Sequence, residues 1–578
     1  MLDAGGQYCH LIARKVRELG VYAEVRPSDT PASELAGRKG LIISGGPSSV
    51  YEAGSPRIDP AILNQGVGVL GICYGLQWMA YELGGEVSKG EKGEYGMAVL
   101  SAILPHPLFA GLNLGKVWMS HRDRVQSVPP GFHVIASTDT CAVAAMAHRE
   151  KPLLAVQFHP EVAHTEHGAG ILSNFIFGVC GCERDWDPKD RIGPIEAQIR
   201  EAAGDRSIFF FVSGGVDSTV AYTLCLRALP PERVYGIYVD TGLMREGETA
   251  YVRDLFARLG AVAFHVEAAE DGFLQALKGV WDPESKRHII GEQFVAVQER
   301  VLNSGQFAEG RWVLGQGTIY PDTIESGGSA QADLIKTHHN RVAGIQRLID
   351  AGRLVEPLAS FYKDEVREIG AELGIPAEFL NRHPFPGPGL AIRCLCSEVN
   401  QNFTRRPEGW LIPIRSVGVQ GDSRSYRPVL MLDEPPSMDA LLAASRLTND
   451  LAEINRVIAK VATRVPLERM EVTRGFLTGG RLERLRQADA VVRRHCERSG
   501  FEAQVWQFPV VLIPLGDGHA PDSVVLRPIH SVDGMTAQVV LMPDDLLQAI
   551  ARELLEIEGV AAVFYDLTHK PPGTIEWE

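Results

Sequence analysis

Short apolar runs alternate with helix-like segments in the first third of the chain. Leu41-Ile42-Ile43, Val67 to Leu70 and Ala155 to Phe158 have the length and composition of buried strands. Runs of this kind, separated by helical segments, are typical of strands that are covered by helices on both faces of a sheet. The pattern therefore predicts an α/β fold with a largely parallel sheet.

A second set of apolar runs begins at residue 208 and again predicts strands that alternate with helices. Ile208 to Val212 leads into a glycine-rich turn, and Val234 to Val239 and Trp312 to Leu314 also end in polar turns. In open parallel sheets, ligands bind beyond the carboxyl ends of the strands. The turn at Asp240-Thr241-Gly242 is where we expect an adenosine.

The pattern changes after a proline- and glycine-rich stretch from Pro384 to Gly389. Beyond it, Leu411 to Val417 is similar to Leu526 to Val532, and each is followed by a Leu-Met-rich strand, a helix and a β-branched strand. Chance similarity in a β-rich sequence is the alternative, but the order of the elements favours a duplicated α+β module.

The length of 578 residues exceeds what one hydrophobic core normally organises. We predict three domains, at residues 1–183, 184–385 and 386–578. The third would contain two repeats, at about 386–465 and 466–578.

Composition narrows the class of protein. With 45% hydrophobic and 22% charged residues the chain has the make-up of a soluble protein, and a net charge of −15 disfavours nucleic acid as a partner. No apolar run has the length of a membrane span, and the start lacks a signal-peptide pattern. Nine cysteines, an odd number, favour a reducing cytoplasm. The Cys180-x-Cys182 and Cys394-x-Cys396 pairs lack matching ligands and are expected to be buried thiols.

The turn Gly71-Ile72-Cys73-Tyr74-Gly75 fits a strand–nucleophile–helix elbow with cysteine as the nucleophile. Downstream, His159 follows an apolar strand, and Glu161 lies on the same face of an extended segment, where it can orient the imidazole. Gly45 and Gly46 follow another strand and offer backbone N–H groups for an oxyanion hole. A buried structural thiol is the alternative for Cys73 alone.

These three pieces resemble the triad of class I glutamine amidotransferases. The resemblance implies that Cys73 attacks the glutamine carboxamide, His159 shuttles the proton and Glu161 orients His159, with Tyr74 added to the oxyanion hole. Two departures stand out. Most of the first strand of the family is expected to be absent, and His121-Arg122-Asp123 replaces a common His-Gly-Asp.

The glycine-rich turn after residue 212 can hold phosphate, because successive backbone N–H groups and a helix N-terminus converge there. It lacks the Walker A pattern, and an ordinary capped turn is the alternative. It resembles the SGGxDS loop of ATP pyrophosphatases, of the adenine nucleotide alpha hydrolase-like fold. The resemblance implies that Asp217 binds Mg²⁺, that Lys363 reaches the phosphates, and that one loop binds ATP and pyrophosphate: Ser213-Gly214-Gly215-Val216-Asp217-Ser218-Thr219.

The loop alone would equally fit NAD synthetases, tRNA-thiolating enzymes or argininosuccinate synthetase. The stretches Gly315 to Ser326 and His383 to Leu390, with the fused amidotransferase, resemble glutamine-hydrolysing GMP synthases. Two modules resemble the long, eukaryote-like form. The family pattern implies five residues that bind XMP: Arg287, Asp422, Gln507, Lys570 and Glu576.

The expected activity is the synthesis of GMP from XMP, ATP and glutamine, with Mg²⁺ as cofactor. Two rivals stay open: a related enzyme that amidates a deamido-NAD-like nucleotide, and a non-catalytic scaffold, which would need a broken triad or loop. For His338 and His339, a substrate-facing or structural role is preferred to zinc, because adjacent side chains point apart. Covalently joined modules favour a monomer over the homodimer expected of one-module relatives.

Overall fold

The computed structural model describes the chain except residues 7, 305–306, 308–310, 324–342, 421–422, 532–533 and 535. The described residues form two compact units, Met1–Pro188 and Lys189–Glu578. The predicted boundary at 183/184 lies close to the division between these units, whereas the one at 385/386 lies inside the second unit. The three-domain division stays a prediction.

The first unit contains a nine-stranded sheet in the order β2-β1-β3-β4-β9-β8-β7-β5-β6. Its strands are β1 (Leu2–Asp3), β2 (Arg26–Pro27), β3 (Gly40–Ile43), β4 (Gly68–Ile72), β5 (Glu86–Ile103), β6 (Lys116–Ser127), β7 (Phe132–Thr138), β8 (Ala145–His148) and β9 (Leu153–Val156). Its helices are α1 (Cys9–Glu18), α2 (Tyr74–Glu82) and α3 (Gly168–Ser173).

The prediction of a largely parallel sheet is only half right. Strands β2, β1, β3, β4 and β9 are parallel, but β8, β7, β5 and β6 extend the sheet in antiparallel pairs. Strand β6 alternates buried and more exposed residues and so lacks the continuous apolar run that identified the parallel strands, whereas β8 lies in an apolar run that does not indicate the direction of the strand. Strand β1 is two residues long.

Both faces of the parallel half are buried. Alternate residues of a strand point to opposite faces, and each face packs against helices. In β3, Ile42 packs into one core with Val16 of α1, and Ile43 packs into a second core with Trp78 of α2. The sheet is thereby fixed between helical layers, and the carboxyl ends of its strands stay open for a site.

The second unit begins with a five-stranded parallel sheet in the order β12-β11-β10-β13-β14. Its strands are β10 (Ser207–Phe211), β11 (Val234–Asp240), β12 (Ala263–Ala268), β13 (Trp312–Gly315) and β14 (Leu354–Val355). The helices of this part are α4 (Ile192–Ala203), α5 (Val216–Ala228), α6 (Glu248–Arg258), α7 (Glu270–Ala276), α8 (Pro283–Leu302), α9 (Ala343–Asp350), α10 (Lys363–Glu372) and α11 (Ala377–Leu380).

The rest of the unit contains a seven-stranded mixed sheet in the order β15-β16-β17-β18-β25-β22-β20. The strands from here to the end are β15 (Thr404–Arg406), β16 (Gly409–Gln420), β17 (Ser423–Leu432), β18 (Arg456–Thr463), β19 (Glu471–Val472), β20 (Val510–Ile513), β21 (Leu515–Gly516), β22 (Asp522–Leu526), β23 (Ile529–His530), β24 (Gln538–Val539) and β25 (Val560–Asp566). The helices are α12 (Met438–Asp450), α13 (Gly479–Ser499) and α14 (Asp544–Leu554).

A strand–strand–helix–strand order occurs twice in this sheet. In each occurrence an antiparallel pair, β16 with β17 and β20 with β22, is followed by a helix and a parallel strand. The similar segments at 411–417 and 526–532, however, do not occupy equivalent places. The first lies within β16, and the second runs from the end of β22 to a separate two-stranded sheet.

One hydrophobic core crosses residue 385. Phe273 of α7 and Ile290 of α8 share it with Leu482 of α13 and Val510 of β20. This shared core explains why the chain after residue 188 forms a single unit. Among the described residues, no helix combines the length and apolar character that crossing a bilayer requires.

Candidate active sites

The Cys73 turn joins β4 to α2 in a strained elbow. Cys73 has φ +52°, in the left-handed region that residues with a side chain rarely adopt. The flanking glycines are required by close packing: a Cβ on Gly71 would lie 2.5 Å from the carbonyl of Gly75, and one on Gly75 would lie 2.6 Å from the carbonyl oxygen of Ile43. The turn therefore fixes the thiol at the N-terminus of α2.

His159 and Glu161 form a buried pair beside this thiol. Nδ1 of His159 lies 2.6 Å from Oε1 of Glu161, and the two side chains are almost wholly buried. Burial lowers the pKa of His159, but the Glu161 carboxylate and the hydrogen bond with Cys73 outweigh it and raise the pKa to about 10. The imidazole is thus placed to exchange a proton with the nucleophile and with a leaving group.

Gly45 lies between the nucleophile and the base. A Cβ there would lie 3.0 Å from Cε1 of His159 and 3.5 Å from Cβ of Cys73. Gly46 contacts the backbone of another loop, where its Cβ would lie 2.3 Å from the carbonyl oxygen of Ala4. Tyr74 follows Cys73 as the first residue of α2. The Gly45 backbone is thus close to both the nucleophile and the base.

A cavity of about 570 Å³ opens over Cys73 and His159. Gln77 also lines it and donates from Nε2 to the carbonyl oxygen of Asp123 at 2.8 Å. The sequence did not single out Tyr8, whose ring meets that of His159 edge-on at 5.3 Å, or Ser120, whose carbonyl accepts a hydrogen bond from the Cys73 thiol at 3.6 Å. Neither residue belongs to a motif, so tertiary contact alone identifies them.

The predicted phosphate loop joins β10 to α5, whose N-cap is Gly215. The hydroxyl of Ser213 accepts from the Gly215 N–H at 3.2 Å and lies 2.9 Å from the hydroxyl of Ser218. Gly214 has φ +74°, which suits a residue without a Cβ. Val216 and Thr219 lie in the first turn of α5, and Thr219 is buried beneath the loop.

Asp217 and Lys363 come together at this loop although they are 146 residues apart. Nζ of Lys363 lies 3.5 Å from Oδ2 of Asp217, and Oδ1 is buried without a hydrogen-bond partner among the described residues. Burial raises the pKa of Asp217, and the Lys363 ammonium opposes this rise. A carboxylate oxygen and nearby hydroxyls form a donor set that Mg²⁺ prefers.

The turn after β13 also lies against the loop. A Cβ on Gly317 would lie 2.7 Å from Cα of Ser218, so the two turns touch backbone to backbone. The turn after β11 is braced by Asp240, which accepts from Gly242 N–H and the Thr249 hydroxyl. The predicted strand-end turns therefore gather at one edge of the parallel sheet.

Two of the predicted XMP residues are in direct contact. Nε2 of Gln507 donates to Oε1 of Glu576 at 3.2 Å. The sequence missed Arg393, which is fully buried and donates to both carboxylate oxygens of Glu576, at 2.9 and 2.7 Å. An arginine directly after the apolar run Leu390-Ala391-Ile392 was the available signal, because buried arginines are normally paired.

The other predicted XMP residues are more dispersed. Arg287 donates to the main-chain oxygen of Glu578, and its neighbour Lys286 pairs with the Glu578 carboxylate. Lys570 donates from Nζ to the carbonyl oxygen of Gly534 at 2.6 Å. Asp422, His338 and His339 lie outside the described residues, as does the end of the Gly315 to Ser326 stretch.

Comparison with known proteins identifies relatives of this chain. Residues 1–179 match the model of the class I glutamine amidotransferase family, and residues 494–577 match that of the GMP synthase C-terminal domain. A protein of Leptospira interrogans named Probable GMP synthase (glutamine-hydrolyzing) is 41% identical over 100% of this chain and 99% of its own. GMP synthases (glutamine-hydrolyzing) of Caldicellulosiruptor saccharolyticus and Aquifex aeolicus are 39% and 40% identical, with the same coverage.

The chain belongs to the glutamine-hydrolysing GMP synthase family. This membership confirms the predicted fold class: an amidotransferase domain, a pyrophosphatase domain consistent with the family, and an α+β C-terminal part. It also confirms glutamine-dependent GMP synthesis, a carbon–nitrogen ligase activity, as the predicted function.

Membership also decides between the alternatives. An enzyme for a deamido-NAD-like nucleotide is not favoured, because full-length GMP synthases match from end to end. The expectation of a eukaryote-like form is not borne out, since the full-length relatives named above are bacterial. Two modules in one chain therefore do not show that a GMP synthase is of the eukaryotic type.

Proposed function

We propose that the two units of this GMP synthase family member divide the reaction, with glutamine hydrolysis in residues 1–188 and XMP amination in residues 189–578. The observation that carries this proposal is the presence of a cysteine–histidine–glutamate site in one unit and a phosphate loop in the other. The substrates are glutamine, ATP and XMP.

In the first unit, the thiol proton of Cys73 passes to His159 while Sγ attacks the carboxamide carbon of glutamine. The N–H groups of Gly45, Gly46 and Tyr74 stabilise the resulting oxyanion. His159 donates a proton to the leaving nitrogen, so ammonia departs and a thioester forms. His159 then accepts a proton from water, which attacks the thioester and releases glutamate. Glu161 keeps the imidazole oriented throughout.

In the second unit, O2 of the xanthine attacks the α-phosphorus of ATP, and pyrophosphate leaves. The Ser213 to Thr219 loop and Lys363 hold the departing pyrophosphate. Ammonia then attacks C2 of the adenylated base, AMP leaves, and GMP results. Positioning and electrostatics suffice for both steps, so no covalent protein nucleophile is needed.

Mg²⁺ is proposed as the cofactor of this second site. Asp217 would hold it, because Oδ1 of this residue is buried without a hydrogen-bond partner among the described residues and lies on the loop that carries the Ser213 and Ser218 hydroxyls. When bound, the ion neutralises charge on the phosphates. Asp217 would set the position of the ion.

For XMP, cationic side chains suit the phosphate and polar ones suit the base or ribose. We assign Arg287 and Lys570 to the first group, and Asp422, Gln507 and Glu576 to the second. Arg393 would act as a positioning residue, because its two hydrogen bonds fix the carboxylate of Glu576 next to the Gln507 amide.

The same proposal places the enzyme in the cytoplasm as a monomer. All nine cysteines are free, and those with a resolved shift have their pKa raised, first by burial. Buried free thiols are typical of proteins that fold in a reducing compartment.

The test is a substrate assay with the complete chain. We expect ATP and XMP with glutamine to give AMP, pyrophosphate, GMP and glutamate in equal amounts, and ammonium to replace glutamine without glutamate release. A deamido-NAD-like nucleotide should not be amidated. Amidation of that nucleotide while XMP stays unchanged would overturn the proposal.

A further inference from the structure

A cluster of three chemically distinct side chains lies beside the glutaminase cavity and has no part in the mechanism above. It consists of Glu94, His121 and Cys141, whose ligand atoms all lie within 4.8 Å of one another. His121 and Cys141 are buried, and Glu94 is half-buried. The three residues come from β5, from β6 and from the turn between β7 and β8.

The fold determines this meeting point. Glu94 and His121 are direct cross-strand partners in the antiparallel pair β5 and β6. Cys141 closes a tight turn in which its N–H donates to the Thr138 hydroxyl at 2.9 Å. Thr140 of that turn also donates its hydroxyl to Oε1 of Glu94. The second carboxylate oxygen, Oε2, therefore remains to face the histidine.

The imidazole is oriented by its other nitrogen. Nδ1 of His121 lies 2.9 Å from the carbonyl oxygen of Asp123, which can only accept, so Nδ1 carries a hydrogen. In the neutral ring Nε2 then bears a lone pair, and it lies 3.2 Å from Oε2 of Glu94. Metal-binding histidines have this same arrangement, with the second nitrogen donating to a carbonyl or carboxylate.

Both facing atoms lack a hydrogen-bond partner among the described residues. Nε2 of His121 and Oε2 of Glu94 are buried, and no hydrogen bond of acceptable geometry joins them. Two acceptors at this distance repel each other unless a cation lies between them. The cation is either a proton or a metal ion, and the Cys141 sulfur adds a third ligand that only a metal ion uses.

We propose that Glu94, His121 and Cys141 bind one thiophilic divalent cation of the Zn²⁺ class. Nitrogen, sulfur and carboxylate oxygen are the ligands that Zn²⁺ takes in proteins, and three protein ligands leave its fourth position open to water. Binding would deprotonate the Cys141 thiol and release that proton to solvent.

One backbone carbonyl group connects the proposed metal site with the glutaminase cavity. The carbonyl oxygen of Asp123 accepts from Nδ1 of His121 and also from Nε2 of Gln77, at 2.9 and 2.8 Å. Ser120, His121, Arg122 and Asp123 all line the cavity over Cys73. Metal occupancy should therefore alter the KM for glutamine and leave ammonia-dependent synthesis unchanged. This kinetic part rests on the proposed function, whereas metal binding does not.

The test uses the untagged complete chain with Cys73→Ala as the reference, so that the catalytic thiol cannot bind metal. Zn²⁺ binding is measured by dialysis and elemental analysis, and Co²⁺ binding by its thiolate charge-transfer absorption. We expect one ion per chain in the reference, loss of the ion and of the absorption with added Cys141→Ala, and retention with added Cys180→Ala as the matched control.

A second variant tests whether the loss of metal binding could result from misfolding. Glu94→Gln keeps the shape of the side chain, so circular dichroism should be unchanged while Zn²⁺ affinity falls by at least about tenfold. Equal Zn²⁺ binding with and without Cys141, or no stoichiometric binding in the reference, would overturn the proposal and leave a proton between Glu94 and His121. Failure of ammonia-dependent GMP synthesis in the reference, together with normal Zn²⁺ binding, would overturn the proposed function instead.

Discussion

The ammonium of Lys363 lies 3.5 Å from the carboxylate of Asp217, with the glycine-rich loop of α5 beside them. Lys363 is the first residue of α10, where the Glu365 carboxylate accepts a hydrogen bond from the backbone N–H of Tyr362. Two separate helix starts thus place a cation and an anion beside the same glycine-rich loop.

Asp217→Asn should strongly reduce the rate of GMP formation with glutamine and with ammonium alike. The change removes the charge proposed to hold Mg²⁺ next to the departing pyrophosphate, a contact worth on the order of 3 kcal/mol or about 100-fold in rate. The measurement is AMP and GMP formation with each donor. Asp205→Asn, an exposed position, is the control, and near-normal rates with ammonium in Asp217→Asn would contradict the loop assignment.

Cys73→Ala should abolish glutamine-dependent synthesis and preserve ammonia-dependent synthesis at alkaline pH. The thiol serves only to release ammonia, and alkaline pH supplies free NH₃ directly. The comparison is the rate of GMP formation with each donor, next to Cys182→Ala as a matched thiol control. Loss of both activities in a folded Cys73→Ala protein would show that the two units do not divide the work.

Gly45→Ala should reduce glutaminase activity on the order of 100-fold without affecting ammonia-dependent synthesis. The new methyl group would lie 3.0 Å from Cε1 of His159, too close for the imidazole to keep its place. Gly178→Ala is the control, because its Cβ would meet no atom within 4 Å. Unchanged glutamate release by Gly45→Ala would disprove a close approach between this backbone and the triad.

Glu161→Gln should reduce glutaminase turnover roughly 100-fold or more, because an amide no longer favours the imidazolium or fixes its tautomer. It should also change the pH dependence of stability. Folding raises the pKa of His159 from 6.5 to about 10, so the pair stabilises fully below pH 6.5, and the stabilisation is lost as pH rises through about 10.

The measurement is the free energy of unfolding by urea between pH 6 and 10. The difference between the parent chain and Glu161→Gln should shrink across this window, whereas Glu150→Gln, at an exposed position, should follow the parent chain. A difference that stays constant with pH would mean that His159 does not gain its proton from this pair.

The chain should be a monomer at micromolar concentration. The strand–strand–helix–strand order occurs twice in one continuous sheet, and β18 pairs directly with β25. Covalent linkage gives the second copy an effective concentration on the order of millimolar, which outcompetes pairing between chains. Light scattering should give a mass near 63.1 kDa, and a mass near twice that value would show an interface that still dimerises.

Local sequence was sufficient for the elbow at Cys73 and the loop at Ser213. Both depend on backbone turns that only certain residues allow, so the glycines mark them in the sequence. It was not sufficient for the antiparallel part of the sheet, because β6 alternates buried and more exposed residues without an apolar run, and the apolar run at β8 does not indicate the direction of the strand. The similarity between residues 411–417 and 526–532 suggested equivalent positions, which the two segments do not occupy. A short match does not determine which strand a segment belongs to.

The sequence by itself determined the chemistry that the protein has available: a thiol, an imidazole and a carboxylate on strand ends, and a phosphate-binding turn before a helix. Only the tertiary structure decided which distant side chains complete these sites. Arg393 meets Glu576 across 183 residues, and Glu94 and His121 meet Cys141 where three separate segments converge. Such meetings depend on the packing of whole sheets, and local patterns of polarity carry no record of them.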